Sequence, residues 1–258
     1  PPGCVVRVTA GGVAGDPSPY WSLQEVAAAG MADPVDLGDP ELVRMADRLL
    51  RESVQRRLVA DVPVGAFLSG GVDSSTIVAL AQEVSHTPIR TFTVAVGGES
   101  DESAAAALVA RHLGTDHTTL ALPDVDAVDL ANRVATVHDE PFGDPSAIPT
   151  ALLCAAARDN VTVALSGDGA DELLGGYNRH RVAQGQLSRL LTLPRSVRTG
   201  ISKGLSAVPS SRWDGLARAL PGGVTGVGTK VQKLAAALSA DDAWGAYTAL
   251  ATQWNPAQ

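Results

Sequence analysis

The stretch FLSGGVDSST, residues 67–76, decides the fold, because a buried strand ends in it and a helix begins in it. Apolar residues run up to Leu68, then Ser-Gly-Gly, an acid and three hydroxyl side chains follow. Glycine brings no side chain near the backbone, so the N–H groups at 69–71 can point at an anion. The next helix turns its positive end toward the same point. We therefore predict a cradle for a phosphate-sized anion, with hydroxyl donors at 74–76.

Segments typical of strands and of helices alternate on both sides of this loop. The predicted strands cover 63–68, 90–96, 117–122 and 161–165. The predicted helices cover 41–59, 73–84, 99–114, 124–138 and 146–158. The helix at 99–114 carries acids that we expect in its first turn. This alternation predicts an α/β fold with a Rossmann-like parallel sheet and helices on both of its faces.

The two ends of the chain differ from this central pattern. VVRVTA (5–10) predicts one strand, and the remainder of the first forty residues, rich in Gly, Pro and Asp, is typical of a connector. After Tyr177 the pattern becomes mainly helical and less regular. The segment 234–254 predicts one or two helices. We therefore expect three parts: a connector at 1–40, the α/β domain at 41–180 and a helical extension of it at 181–258.

The bulk composition excludes several classes of protein. The chain has 258 residues and a net charge of −8, which disfavours a protein that mainly grips nucleic acid. Its two cysteines form no CxxC motif, so neither a disulfide framework nor a zinc site is indicated. We find no apolar run of membrane-spanning length and no signal peptide, and we expect a cytoplasmic protein without a membrane or nucleic-acid partner.

A second loop, ALSGDGADELLGGY (164–177), repeats the design of a strand followed by glycines and acids. Ligands of open parallel sheets bind beyond the carboxyl ends of the strands, where we place both loops. The first loop is not the common P-loop, because no lysine follows its glycines. Asp73 would repel a phosphate unless a cation lay between them, so we predict Mg²⁺. Asp171 could complete the metal site.

These motifs resemble a known family. FLSGGVDSS is similar to the SGGxDS pyrophosphate loop of the ATP pyrophosphatases, whose fold is of the adenine nucleotide α-hydrolase type. The segment DEPFGDPSAIPTALLCAAARDNVTVALSGDGADELLGGYNRH (139–180) resembles the synthetase domain of glutamine-dependent asparagine synthetases. PPG at the start, YW at 20–21 and LGTDHTTL at 113–120 support the resemblance.

The resemblance implies a binding site for ATP. Leu68 and Val94 match residues that hold the adenosine, and Ser166 and Gly167 match backbone contacts near the ribose and the α-phosphate. The residues that match the pyrophosphate cradle are Ser69, Gly70, Gly71, Ser74 and Ser75.

The resemblance also implies three catalytic acids. Asp73 and Asp171 match the magnesium ligands. Asp168 stands where asparagine synthetases carry an acid and where the related β-lactam-forming enzymes carry an aromatic residue. This favours ammonia as the nucleophile, which Asp168 could orient or deprotonate. The predicted contacts to the acceptor substrate are Asp144, Ser146 and Glu172.

The implied reaction adenylates the side-chain carboxylate of aspartate, releases pyrophosphate and transfers ammonia derived from glutamine. The resemblance implies a glutaminase domain as partner, and a homodimer is possible within it. The family's glutaminase cysteine and its pyrophosphate-neutralising lysine have no match here, so we expect a fragment, with 1–40 as the remnant of a linker. Cys4 is predicted to be structural, and Lys230 and Lys233 are predicted to lie on a solvated helix face.

Three alternatives stay open at this point. A relative of the same family could amidate or cyclise another carboxylate, as a β-lactam synthetase does. An RNA-modifying enzyme could use the same first loop, although the net charge of −8 argues against it. The chain could also be an ATP-binding fragment that is catalytically incomplete. Arg179 and Arg181 could neutralise substrate charge or could simply be exposed.

Overall fold

A computed structural model describes residues 2–13, 15–95, 97–98, 101–121, 132, 134, 136–138, 144, 146–218 and 226–252. The chain divides into two compact units, Pro1–Arg56 and Arg57–Gln258. The three-part division predicted from the sequence stays a prediction. Among the described residues, no helix combines the length and the apolar character that crossing a membrane requires.

The described residues of the first unit form two small antiparallel sheets and two helices. Strand β1 (Cys4–Val5) pairs with β4 (Ser18–Pro19), and β2 (Val8–Thr9) pairs with β3 (Gly12–Val13). The single strand predicted at 5–10 is therefore wrong. The chain turns back after Thr9, because Gly12 adopts a φ of 108° and its carbonyl accepts a hydrogen bond from Thr9 Oγ1 at 3.1 Å.

Helix α1 (Leu23–Ala32) lies within the segment that the sequence assigned to a connector, and helix α2 (Asp39–Arg57) follows it. The signal for α1 was present in the sequence. Ser22 accepts a hydrogen bond from the backbone N–H of Glu25, which is the start of a capping box. Helix α2 confirms the helix predicted at 41–59.

The second unit contains a four-stranded parallel sheet, which confirms the predicted fold class. Its strands are β5 (Val64–Phe67), β6 (Arg90–Ala95), β7 (Asp116–Ala121) and β8 (Val163–Leu165). They lie in the order β7-β6-β5-β8, and each neighbouring pair is parallel. The helices that belong to the sheet are α3 (Val72–Val84), α4 (Ser103–Leu113) and α5 (Ala147–Ala157).

Alternation along β6 separates the two faces of the sheet. Phe92 packs in an apolar cluster with Ala157 of α5 and with Val161. Thr91, on the opposite face, is fully buried, and its hydroxyl contacts Thr115 Oγ1 at 3.0 Å and His117 Nδ1 at 2.9 Å. The sheet is thus anchored by apolar packing on one face and by a small polar network on the other.

Two predicted helices differ from the structure or lie largely outside its described residues. The acids expected in the first turn of α4 precede the helix, which begins at Ser103. The Asp101 carboxylate instead accepts hydrogen bonds from the N–H groups of Ser103 at 2.8 Å and Gly97 at 2.9 Å, so it caps the helix start from outside. Most of the helix predicted at 124–138 lies outside the described residues.

The described residues that follow β8 are mainly helical, as predicted. They form α6 (Ala170–Leu174), α7 (Asn178–Val182), a π-helical turn (Ala183–Leu187), α8 (Ser188–Leu191), α9 (Arg195–Ser206), α10 (Ser210–Arg218), α11 (Val227–Ser239) and α12 (Ala243–Ala251). The segment 234–254 contributes to two helices, because Asp242 caps a new helix by accepting a hydrogen bond from Gly245 N at 2.7 Å.

A buried polar side chain donates hydrogen bonds to the backbone carbonyl groups at the end of α11. Arg198 is buried, and its Nη1 donates to the carbonyl oxygens of Leu238 at 3.1 Å and Ala240 at 2.8 Å. Lys230 is exposed, as predicted. Lys233 is not on a solvated face: it is half-buried and donates to the Leu250 carbonyl at 3.3 Å, because α12 packs over that side of α11.

Candidate functional site

The two glycine-rich loops meet at a reversal of the strand order. From β5 the chain continues outward through β6 and β7, whereas β8 returns to the other side of β5. The loops that leave β5 and β8 therefore lie side by side at the carboxyl ends of adjacent strands. This crevice is where open α/β sheets bind their ligands.

The loops touch through Gly167. A Cβ at this position would lie 2.7 Å from Ser74 N and 2.9 Å from the Asp73 carbonyl carbon. No side chain fits between these backbones, so the second loop packs directly on the first turn of α3. The structure thereby brings the predicted Ser166, Gly167 and Asp168 beside the predicted Asp73 and Ser74.

Gly70 fixes the other side of the first loop. Its φ is +82°, and a Cβ there would lie 2.8 Å from Ala105 Cβ, in the first turn of α4. Both the backbone conformation and the close approach therefore require glycine. The following residue, Gly71, is the N-cap of α3 and provides no side-chain cap. The start of α3 consequently has no protein carboxylate or hydroxyl at its N-cap to compete with a bound anion.

The serines of the first loop are arranged around this helix start. Ser69 Oγ and Ser74 Oγ are 2.9 Å apart, and Ser69 Oγ accepts a hydrogen bond from Gly71 N at 3.2 Å. Ser75 Oγ is buried without a partner among the described residues. Thr76, suggested by the sequence as a donor, donates to its own helix at Val72 O at 2.7 Å. A buried hydroxyl without a partner is costly and suits a site that a ligand completes.

The acids of the second loop are held by short local contacts. Ser166 Oγ donates to Asp168 Oδ2 at 2.9 Å, and Gly169 supports the turn with a φ of 92°. The Asp171 carboxylate folds back onto Gly176, in space that a Cβ at 176 would fill. The glycines at 175–176 thus make room for this acid.

These residues fit a nucleotide with a metal ion. Two closely approached glycine loops, an uncapped helix start and the unpartnered Ser75 hydroxyl suit phosphate groups. Asp73 and Asp171 could hold Mg²⁺, which takes one or two carboxylates together with phosphate oxygens and water. Among the described residues, no group of three or more His, Cys, Asp or Glu forms a metal site from protein ligands alone.

The predicted adenosine contacts lie on neighbouring strands. Leu68 is 1% exposed and its N–H donates to the Phe92 carbonyl at 2.9 Å. Its side chain belongs to the core, so only its backbone is available to a nucleotide. Val94 is half-buried near the end of β6.

The predicted acceptor residues separate into two groups. Asp144 and Ser146 are exposed at the start of α5, and Asp144 Oδ1 accepts a hydrogen bond from Ser146 N at 2.8 Å. This bond holds the pKa of Asp144 below its usual value. Most of the loop before them, 139–143 and 145, lies outside the described residues. Glu172 instead lies in α6, within the second loop segment 164–177.

Glu172 belongs to a cluster that the sequence analysis did not predict. Tyr177 Oη donates to Glu172 Oε1 at 2.6 Å, and this bond lowers the pKa of Glu172 and raises that of Tyr177. The Arg179 guanidinium carbon lies 3.6 Å from the centre of the Tyr177 ring. The sequence signal was the GGYNRH segment, whose two glycines turn the chain back toward Glu172.

Comparison with known proteins confirms the resemblance. The family model described as asparagine synthase matches residues 45–256, so the chain belongs to this family. The chain is 40% identical over 141 residues to the putative asparagine synthetase [glutamine-hydrolyzing] 2 of Methanocaldococcus jannaschii, covering 54% of this chain and 27% of that protein. It is 38% identical over 149 residues to asparagine synthetase [glutamine-hydrolyzing] 1 of Bacillus subtilis, covering 57% of this chain and 23% of that protein.

A third relative carries a different name. The chain is 32% identical over 182 residues to amidase chyE of Penicillium rubens, covering 63% of this chain and 26% of that protein. The matches thus span about a quarter of the length of these curated relatives.

Proposed function

We propose that this chain is the synthetase part of an ATP-dependent amide ligase of the asparagine synthetase type. The observation that carries the proposal is the packing of Gly167 against Asp73 and Ser74, which joins two glycine-rich, acid-bearing loops at the strand-order reversal. Membership of the asparagine synthase family supports it.

The proposed reaction solves a chemical problem in two steps. A carboxylate is a poor electrophile and must first be activated. An oxygen of the aspartate side chain therefore attacks the α-phosphorus of ATP, and the bond from that phosphorus to the oxygen of the β-phosphate breaks. Pyrophosphate leaves with its electron pair. Ammonia then attacks the acyl carbon and loses a proton, and AMP departs to leave asparagine. Positioning and charge stabilisation provide most of the catalysis in such transfers.

The first loop is assigned to the departing pyrophosphate. The backbone at 69–71, the start of α3 and the Ser74 and Ser75 hydroxyls would donate to its oxygens. The contact with α4 at Gly70 holds the loop in place before the ligand arrives. Asp73 and Asp171 would hold Mg²⁺, which when bound neutralises phosphate charge.

The second loop is assigned to the acyl group and the nucleophile. Asp168, held by Ser166 at 2.9 Å, would orient the attacking ammonia or accept its proton. Ser166 and Gly167 would contact the ribose and α-phosphate by their backbones. The acceptor contacts proposed from the sequence are Asp144, Ser146 and Glu172.

The ammonia supply is part of the same proposal. The relatives are named glutamine-hydrolyzing, so we propose that a glutaminase domain delivers ammonia to this site. Association into a homodimer also remains a proposal.

Calorimetric titration of the whole protein with ATP in the presence and absence of Mg²⁺ tests the site. We expect binding that needs Mg²⁺ and that disappears in Asp73→Ala. Asp159→Ala, which removes an exposed acid after α5, is the matched control and should bind as the wild type does. Equal binding by the Asp73→Ala variant would contradict the assignment. Release of pyrophosphate that depends on aspartate then tests the reaction.

A different acceptor is the second candidate, and the similarity to an amidase named chyE favours testing it. Pyrophosphate release should be measured with a panel of carboxylic acids beside aspartate. A faster reaction with another carboxylate would keep the ligase chemistry and change the substrate.

A further inference from the structure

Arg179 is held by a ring contact and forms no ion pair with the described carboxylates. Its guanidinium carbon is 3.6 Å from the centre of the Tyr177 ring, within the range of a cation–π contact. Its Nε is buried and has no hydrogen-bond partner among the described residues. Within the same part of the chain, no carboxylate lies within 4.0 Å of its nitrogens. A planar guanidinium held in this way is suited to bind a carboxylate through two parallel hydrogen bonds.

Glu172 provides the opposite charge on the other end of the same tyrosine. The Tyr177 hydroxyl donates to Glu172 Oε1 at 2.6 Å, while the Tyr177 ring supports the Arg179 guanidinium. The Glu172 side chain is exposed, and it carries the negative charge of an ordinary glutamate. Tyr177 therefore holds an anion and a cation at fixed positions around one ring.

The chain places this trio beside the nucleotide loops. Glu172 is in α6, which begins directly after the turn at Gly169. Gly176 N donates to the Asp171 carbonyl at 3.0 Å, and this bond turns the chain back so that Tyr177 reaches Glu172. Asp171, the proposed metal ligand, immediately precedes Glu172 in this helix.

Packing against α12 stiffens the trio before any ligand arrives. The His180 ring meets the Tyr177 ring edge-on, with 5.6 Å between the centroids. His180 Nε2 lies 3.0 Å from the Tyr247 hydroxyl, and those two rings are stacked at 5.8 Å. A binding group held by such supporting contacts loses little freedom when it engages a ligand.

We infer that Arg179 and Glu172 form a zwitterion site for the acceptor, with Arg179 on its α-carboxylate and Glu172 on its α-ammonium group. The ligand class is an α-amino acid whose second, side-chain carboxylate remains free to react. This inference rests on the proposed function and deepens it, because it assigns the part of the acceptor that does not react. Arg181, exposed on the same helix, has no such role.

The test compares three acceptors in pyrophosphate release by the whole protein. L-Aspartate carries both groups, 3-aminopropanoate lacks the α-carboxylate, and succinate lacks the ammonium group. In Arg179→Gln we expect the KM for L-aspartate to rise roughly tenfold or more, the loss of one charge-assisted contact. The KM for 3-aminopropanoate and the KM for ATP should not change. Arg181→Gln is the matched control and should resemble the wild type.

Two further variants separate binding from folding. Glu172→Gln should raise the KM for L-aspartate and leave the KM for succinate unchanged. Tyr177→Phe keeps the ring under Arg179 and loses the hydroxyl. It should therefore raise the KM for L-aspartate less than Arg179→Gln does. A purely structural role for Arg179 would raise the KM for ATP as well, which would overturn the inference.

The outcomes also separate this inference from the proposed function. If the wild type releases pyrophosphate with L-aspartate and Arg179→Gln leaves its KM unchanged, the inference is wrong and the proposed function stands. If the wild type prefers succinate or 3-aminopropanoate to L-aspartate, the inference is overturned while the ligase chemistry stands. If no acceptor releases pyrophosphate, both are wrong.

Discussion

Gly167 lies so close to Asp73 that a Cβ added at position 167 would come within 3.0 Å of the Asp73 Cβ. This contact unites two loops that are separated along the sequence by three strands, β6, β7 and β8, and by several helices. It sets the positions of an acid on each loop relative to the start of α3. The candidate site therefore depends on the absence of one side chain.

Gly167→Ala should damage both the site and the fold around it. The added methyl group meets backbone at 2.7 Å, which cannot yield as a flexible side chain would. We expect a loss of about 1–3 kcal/mol in the free energy of unfolding, typical of overpacking, and weaker binding of ATP. Chemical denaturation and calorimetry measure the two effects.

Gly200→Ala is the matched control for that change. Gly200 lies in α9 with open space where its Cβ would be, so alanine should stabilise the helix by roughly 0.5–1 kcal/mol. Equal stabilities of the two variants would show that position 167 is not sterically restricted.

Ser75→Ala should separate ligand binding from stability. The Ser75 hydroxyl is buried without a partner among the described residues, so its removal should leave the ligand-free protein as stable as the wild type or more stable. Binding of ATP should nevertheless weaken, since the ligand loses a donor.

Ser74→Ala gives the contrasting result. Ser74 Oγ lies 2.9 Å from Ser69 Oγ and accepts a hydrogen bond from Ser69 N at 3.2 Å, so its loss should destabilise the protein by about 1 kcal/mol. Thermal melts of both variants, with and without Mg²⁺ and ATP, measure the difference. A Ser75→Ala variant that is destabilised but binds ATP normally would contradict the prediction.

Arg198→Met should destabilise the helical part of the chain. The buried guanidinium donates to the carbonyl oxygens of Leu238 and Ala240, and methionine would leave both carbonyls without this partner. We expect a loss of about 2–3 kcal/mol in the free energy of unfolding. Denaturant titration followed by far-UV circular dichroism measures it.

The control for that loss is Arg195→Met. Arg195 forms an ion pair with Asp241, but both side chains are largely exposed, so its removal should cost less than about 1 kcal/mol. If the two variants lost the same stability, burial of Arg198 would not explain its effect.

His117 should make stability depend on pH. Burial lowers the pKa of His117 below its ordinary value of 6.5, because the imidazole is partly removed from water. The unfolded chain then binds a proton at a pH where the folded chain does not. The contribution of His117 to the free energy of unfolding is fully present above the ordinary pKa of 6.5. It should fall as the pH drops from there toward the lower pKa of the folded state.

The measurement is the midpoint of denaturation between roughly pH 5 and pH 8, compared with His117→Asn. The difference between wild type and variant gives the pH dependence that is due to His117, because the carboxylates titrate in both proteins. The exposed His86→Asn is the control for the loss of one histidine. An identical pH dependence in wild type and His117→Asn would contradict the prediction.

The fold was largely predictable from short local patterns. The strands β5, β6, β7 and β8 followed from runs of apolar and β-branched residues, and α3 followed from its glycine start and apolar stripe. The errors came where local signals competed. Asp101 looked like part of a helix but caps it from outside, and the strand predicted at 5–10 is broken by the turn at Gly12.

The sequence by itself determined the α/β class, the family and the two loops, because these depend on the order of residue types along short segments. Only the tertiary structure decided which groups meet. The Gly167 contact, the contact between His180 and Tyr247 and the half-buried Lys233 all join residues from different elements. Such contacts depend on the strand order and on the angles at which helices pack, and neither has a local sequence pattern.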